Sequence, residues 1–363
     1  MPTPATAPLP TPTHRSLPRW RGFNLLEQFS AHSEHHPHGP FREDDFRFLA
    51  DHGFNFVRLP LDYRLLLVDE KPFTHNPAAW SALDDALAFG ERHNVHVNIA
   101  IHRAPGYCCN PPFETVDLFR DAAPRDLFIW FWQQFATRYK NVDPAHLSFN
   151  LLNEPAAPSR EQAVAAVMRA ALKEIHAVRA DRVVIADGLC WGRWGGAGTP
   201  SFALANDPIA QSVHCYEPAW LTFHQMNKKD PFLNGPAPTW PGRLEVPPDQ
   251  CAEYPHELYM LGSDPWDKSV LRDYYFGPWR GLQALGVGLH AGELAIFRHT
   301  PHNVALAYLE DLLSILHDMN IGFAMWNLRG PFGIVNSYRT DASYQDTPLG
   351  PLDTKMLALL EKY

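Results

Sequence analysis

Residues 147–187 read LSFNLLNEPAAPSREQAVAAVMRAALKEIHAVRADRVVIAD, and this stretch decides the fold. An apolar run, Leu147–Glu154, ends in polar residues and a proline. From Glu161 to Arg179, Val164, Val167, Met168, Ala171, Leu172, Ile175 and Val178 recur at three- and four-residue steps, the period of a helix with one apolar face. A second β-branched run, Arg182–Asp187, follows. Strand, helix, strand within some forty residues is a parallel βαβ unit.

The same rhythm extends both ways. Candidate strands lie at Gly22–Leu26, Phe54–Leu61, His96–His102, Leu147–Glu154, Arg182–Asp187, Ala210–Tyr216, Val287–Glu293 and Gly322–Asn327. A second clear helical pattern runs from Val304 to Met319, with Tyr308, Leu312, Ile315 and Leu316 on one face. Eight such units predict an α/β fold, a (β/α)8 TIM barrel, rather than an open doubly wound sheet. The predicted organisation is a disordered Pro/Thr-rich tail over 1–18 and one catalytic domain over 19–363. One connection breaks the rhythm: about fifty residues rich in Pro, Trp and Asn separate Tyr216 from Asp267. Loops of that length are commonly functional, and this one follows strand six on the face where barrels build their sites.

Composition agrees with a globular barrel of 363 residues, 45% hydrophobic and 20% charged. The 34 prolines, about 9% against a usual ~5%, concentrate in the tail and in 231–255. A net charge of −9 without a basic block argues against nucleic acid or an anionic membrane as partner. No apolar run approaches the ~18 residues of a membrane span. MPTPATAPLPTPTHRS lacks an apolar signal core, so the expected location is cytoplasmic, or secreted or periplasmic if a leader precedes it. Five cysteines without regular spacing give no disulfide framework, and adjacent Cys108 and Cys109 read as reduced thiols.

Polar residues gather at the C-terminal ends of the candidate strands. Arg58 ends strand two, His102 strand three, Asn153 and Glu154 strand four, His214 and Tyr216 strand six, Glu293 strand seven and Trp326 strand eight. Singly, each has a bland reading: a loop carboxylate, a packed histidine. Barrel closure brings all strand ends to one rim, and scattered loop residues would not fall one per strand so regularly. Two opposed carboxylates are what glycoside hydrolysis needs, one to protonate the departing oxygen and one to attack the sugar carbon. Arg58 is placed to keep Glu293 ionised, Tyr216 to donate to the same carboxylate, Asn153 to hold a sugar hydroxyl, and Trp326 to floor the ring.

The ordered set VRLPLDYR (57–64), IHRAPGY (101–107), LLNEP (151–155), VHCYEP (213–218), AGE (291–293) and MWN (325–327) resembles glycoside hydrolase family 5, the cellulase-like barrels of clan A. The resemblance runs from about Arg19 to the C-terminus. It implies a retaining β-glycosidase of the cellulase type, active in polysaccharide degradation, with Glu154 as acid/base and Glu293 as nucleophile. Arg58, His102, Asn153, His214, Tyr216 and Trp326 match the residues around the reacting sugar. The implied substrate is β-glucan or a related oligosaccharide, with no cofactor or metal. The CysCys-bearing segment after strand three and the long insertion depart from the common cellulase form.

Weaker signals remain. HSEHHPHG (32–39) fits no standard zinc spacing and reads as a solvated or sugar-contacting loop. Trp191 and Trp194 stand in a glycine-rich stretch after strand five, balanced between sugar stacking and packing. Trp220, Trp240 and Trp266 either form sugar platforms or pin the insertion. Alternatives stay open: exo-action on short oligosaccharides, a non-catalytic sugar-binding barrel, or a metal-dependent barrel hydrolase. The last is encouraged by 19 histidines but opposed by a first strand, GFNLL, without a His-x-His.

Overall fold

The structure, a computed structural model, describes residues 8–32, 38–155, 158–190, 197–244 and 265–363. Eight parallel strands close on themselves in sequence order: β1 (Arg21–Asn24), β2 (Phe56–Asp62), β3 (His96–Arg103), β4 (Leu147–Asn150), β5 (Val184–Asp187), β6 (Ala210–Cys215), β7 (Leu289–Leu294) and β8 (Gly322–Met325). β8 pairs back onto β1 through Gly22–Ala324. Every residue of β2 to β8 is buried, as expected of strands covered on both faces.

Helices α1 (Glu43–Asp51), α2 (Pro77–His93), α3 (Ala122–Arg138) and α4 (Glu161–Val178) follow the first four strands. α5 (Gly277–Ala284), α6 (His302–Asp318) and α7 (Thr354–Lys362) follow β6, β7 and β8. Local chemistry sets their ends. Asn76 caps α2 by accepting from the Ala78 N–H, with Pro77 in the first turn, and Asn94 closes it in the left-handed region at φ 56°. Asp353 caps α7 by accepting from the Met356 N–H. The apolar stripe of α4 is the one foreseen, with Val164, Val167, Met168, Ala171, Leu172 and Ile175 buried. After β5 the described residues hold only a 3-10 turn, Phe202–Leu204, in place of a helix. No described helix is long and apolar enough to cross a membrane.

Two expectations are corrected. Residues 8–18 are not a loose tail. Thr13 and Ser16 bridge each other, the His14 carbonyl accepts from the Gly288 N–H, and Leu17 is buried beneath the barrel with Trp20 and Phe56. The Pro/Thr composition hid the apolar anchors Leu9 and Leu17, both buried, of which Leu17 packs against the strand starts. Strand four also stops earlier than expected, at Asn150 rather than Glu154. Beyond Asn150 the backbone still donates from Leu151 to the Ile185 carbonyl and from Asn153 to the Ile101 carbonyl, and then turns at Glu154, which sits in the left-handed region at φ 41°.

The long connection is held by its tryptophans. Trp220 and Trp266 are buried, and the Trp240 indole N–H donates to Asp311 at 2.9 Å while its ring meets Tyr308 edge-on. All three pin the insertion. Trp191 and Trp194, and most of the histidine-rich loop, lie outside the described residues.

Candidate active site

Charged and amide side chains gather in the upper part of the barrel, and Arg58 is their centre. The side chain is 1% exposed and spends every nitrogen. Nε donates to Asn150 Oδ1 at 2.8 Å, one terminal nitrogen to Glu293 Oε1 at 2.6 Å and Asn24 Oδ1 at 3.1 Å, and the other to Asn153 Oδ1 at 2.8 Å and Asp187 Oδ2 at 3.4 Å. A planar fork of five donors suits such a ring of acceptors, as an ammonium would not.

Glu293 is aimed by its strand. The β6–β7 register runs Val213 to Ala291 and then His214 to Glu293, so Gly292 is the extra residue of a bulge that turns the carboxylate inward. Only glycine fits there, because a Cβ would come within 2.3 Å of Ser212 Oγ and 3.2 Å of His214 Nε2. With Arg58 on Oε1, Oε2 accepts from the Tyr216 hydroxyl at 2.7 Å. Burial raises the Glu293 pKa, while His214 and Arg58 pull against it.

Glu154 stands opposite, on the turn after β4. Its own N–H donates to Asp187 at 3.1 Å, and its carbonyl accepts from the Tyr107 hydroxyl at 2.6 Å and the Cys190 thiol at 3.1 Å. These three bonds hold the left-handed turn. His214 Nδ1 is 2.8 Å from Glu154 Oε1 and 3.5 Å from Glu293 Oε2, and its Nε2 is 3.1 Å from Asp187. One oxygen of each glutamate and a His214 ring nitrogen lie within 4.8 Å of one another. That spacing would suit a small cation too, but each Glu293 oxygen already accepts a hydrogen bond, Oε1 from Arg58 and Oε2 from Tyr216.

Sequence reasoning passed over Asp187, Asn24, Asn150 and Tyr107. Asp187 had a signal, since it is the polar residue ending β5, which with β1 was left without a candidate. His102 is buried, stacks on Trp326 at 5.4 Å and meets Phe29 edge-on at 4.6 Å. Burial, with Arg58 nearby, keeps its ring well below the usual histidine range, so it stands neutral. Trp326 keeps one part of its ring open to the cleft. Cys108 and Cys109 are free thiols, and Asn153 Nδ2 donates to Cys109 Sγ at 3.3 Å.

His214 predicts a pH dependence of stability. Burial lowers its pKa, but Asp187, Glu293 and the bond to Glu154 outweigh this and raise it from 6.5 to about 10. A group raised on folding stabilises fully below its unfolded pKa and loses that contribution as pH climbs through the folded one. Urea midpoints should therefore fall between pH 7 and 10 more steeply for the native chain than for His214→Asn. Parallel declines in the two proteins would contradict the charged state of His214.

A cavity of about 990 Å³ opens beside this centre, sharing Asn24 and Trp326 with it and extending under the loops after β8 and β1. That is at the upper end of the ~300–1,000 Å³ usual for ligand pockets.

Comparison with known proteins converges on one group. The profile of Cellulase (glycosyl hydrolase family 5) matches residues 20–330. Endoglucanase C of Acetivibrio thermocellus is 25% identical over 338 residues, spanning 89% of this chain and 95% of that protein. A solved structure described as a glycoside hydrolase is 32% identical, with a TM-score of 0.82 over 95% of this chain and 99% of the other. Cel5A of Thermotoga maritima, solved with a mannotriose substrate, shares the fold at 18% identity and a TM-score of 0.65, over 95% and 98% of the two chains.

Proposed function

The chain belongs to glycosyl hydrolase family 5, and from that premise we propose that it cleaves β-linked glucan chains or their oligosaccharides with retention of anomeric configuration, using Glu293 as nucleophile and Glu154 as acid/base. The observation that carries this reading is that an oxygen of Glu154 and an oxygen of Glu293 lie within 4.8 Å of each other, close enough for the ~5–5.5 Å carboxyl spacing of retaining enzymes. An inverting enzyme needs ~6.5–9.5 Å to fit a water between them.

In the first step Glu293 Oε2 or Oε1 bonds to the anomeric carbon while Glu154 gives its proton to the departing oxygen, breaking the glycosidic bond. In the second, Glu154 takes a proton from water, whose oxygen bonds to the anomeric carbon and releases Glu293 as carboxylate. Arg58 and Tyr216 accompany the nucleophile through both steps, stabilising its charge before attack and on departure. The neutral His102–Trp326 stack offers an apolar wall to the sugar. Endoglucanase C supports β-glucan as substrate. The cavity beside Trp326 leaves room for further sugar units, which favours chains over single-sugar glycosides.

Glu154→Ala tests the division of labour. A dinitrophenyl β-glycoside needs no acid to leave, so its glycosylation should persist while turnover slows ~10²–10⁴-fold for want of the base. Azide should then speed turnover and yield the β-glycosyl azide. An azide-insensitive variant that slows activated and unactivated substrates equally would remove Glu154 from the mechanism.

A further inference from the structure

The cavity beside the reacting centre has a charge pattern that hydrolysis of a neutral glucan does not require. Arg42, at the start of α1, Arg298, after β7, and Arg329, after β8, all line it. Among the described lining residues Glu27 is the one acid. Arg329 is engaged by both oxygens of Asp45. Arg42 and Arg298 have no carboxylate within ion-pair distance among the described residues, and Arg298 Nε is buried without a hydrogen-bond partner. Two guanidinium groups thus face a common space with donors to spare.

Barrel topology says which part of a substrate enters. The acid/base stands after β4 and protonates the leaving oxygen, so the leaving group lies on that side. Most of the cavity lining follows β8 and β1, with Phe297 and Arg298 after β7, Met226 after β6 and Asn110 after β3, so its bulk lies across the ring from β4 and β5. The cavity therefore takes the sugar beyond the reacting one on the non-reducing side.

We propose that this cavity is a subsite for a β-linked sugar carrying an anionic oxygen group, a carboxylate or a sulfate ester, bound by Arg298 and Arg42. The inference rests on the glycosidase reading above and narrows its substrate to acidic or acid-substituted glycans. Guanidinium forks match such groups with paired, charge-assisted hydrogen bonds. Trp326 and Tyr338 supply ring surface for the sugar body. Glu27 is the feature that opposes an anion. Its Oε2 is buried without a partner, and burial together with the charge of Asp45 raises its carboxyl to about 7. Near neutrality its protonated form is thus well populated, and in that form it can donate to the ligand rather than repel it.

The test uses three aryl β-disaccharides that differ only in the non-reducing sugar: glucose, glucuronic acid and glucose 6-sulfate. At low salt one or both acidic forms should exceed the neutral form in kcat/KM by about tenfold, the worth of one charge-assisted contact. The two acidic arms identify which group is preferred. The preference should shrink as salt rises and fall to near unity in Arg42→Gln/Arg298→Gln, with hydrolysis of the aryl β-monoglucoside unchanged. A native enzyme that favours the neutral disaccharide, or a variant that keeps the acidic preference, overturns the proposal. Calorimetric binding of the same three compounds separates the two readings: acid-selective binding that vanishes in the variant, without turnover of any substrate, upholds the subsite and removes the hydrolase reading alone.

Discussion

Glu293→Ala is expected to lower kcat/KM by ~10⁴-fold or more, the scale on which enzymes lose turnover when an attacking group is deleted. The substitution removes the acceptor of a 2.6 Å bond from Arg58 and a 2.7 Å bond from Tyr216. Arg58 keeps Asn24, Asn150, Asn153 and Asp187, so it is not left as a bare buried charge and the fold should persist. Unchanged far-ultraviolet circular dichroism would establish that. The space vacated is the size of a small anion and still faces Arg58. Formate or azide should enter it, attack the anomeric carbon from the side Glu293 used, and restore part of the rate with an activated β-glycoside. With azide the trapped product should have inverted, α configuration, because only one displacement occurs. Near-normal hydrolysis by this variant, or rescue that yields the β-azide, would take Glu293 out of the nucleophile's role.

What was legible beforehand follows a physical divide. Strands of a closed parallel barrel are buried on both faces, so their composition is distinctive, and the polar residue at each end stands out against it. Glu154, Glu293 and His214 were visible for that reason; Arg58, expected at the end of strand two, is instead the third residue of β2 and was visible as the one cation in its apolar run. Asp187 closes Val-Ile-Ala-Asp-Gly, which reads equally as an ordinary turn, and its partners come from β2, β4 and β6. Asn24 and Asn150 end β1 and β4, but they were hidden because the expected strands ran on past them, to Leu26 and Glu154, and their value appears only when the barrel closes on Arg58. The geometry that aims the carboxylates was likewise silent. The bulge at Gly292 and the left-handed turn at Glu154 depend on neighbouring strands and loops. Tyr107 and Cys190, which hold that turn, are 83 residues apart in sequence.

Arg58→Met should be the most destabilising single change in the site, because the side chain is a hub rather than a contact. Methionine fills much of the volume but satisfies none of the five acceptors that Arg58 now serves. Glu293 and Asp187 would remain buried with His214 as their one nearby cation. Breaking a buried ion pair from one side costs ~3–5 kcal/mol, since the surviving charge keeps its desolvation penalty and loses its partner. Urea unfolding should register a loss of that order. Activity should fall as well, with a distinctive sign: without Arg58 the Glu293 pKa climbs further, so the acid limb of the kcat/KM profile moves to higher pH. Arg58→Lys keeps a charge but not the fork, and should recover part of the stability and little of the rate. The double variant Arg58→Met/Glu293→Ala separates a charge effect from a packing effect. Removing the stranded carboxylate should return some of the lost stability, giving a double variant less destabilised than the sum of its singles. Strict additivity would mean that Arg58 supports the barrel through volume alone and that its bond to the proposed nucleophile is incidental.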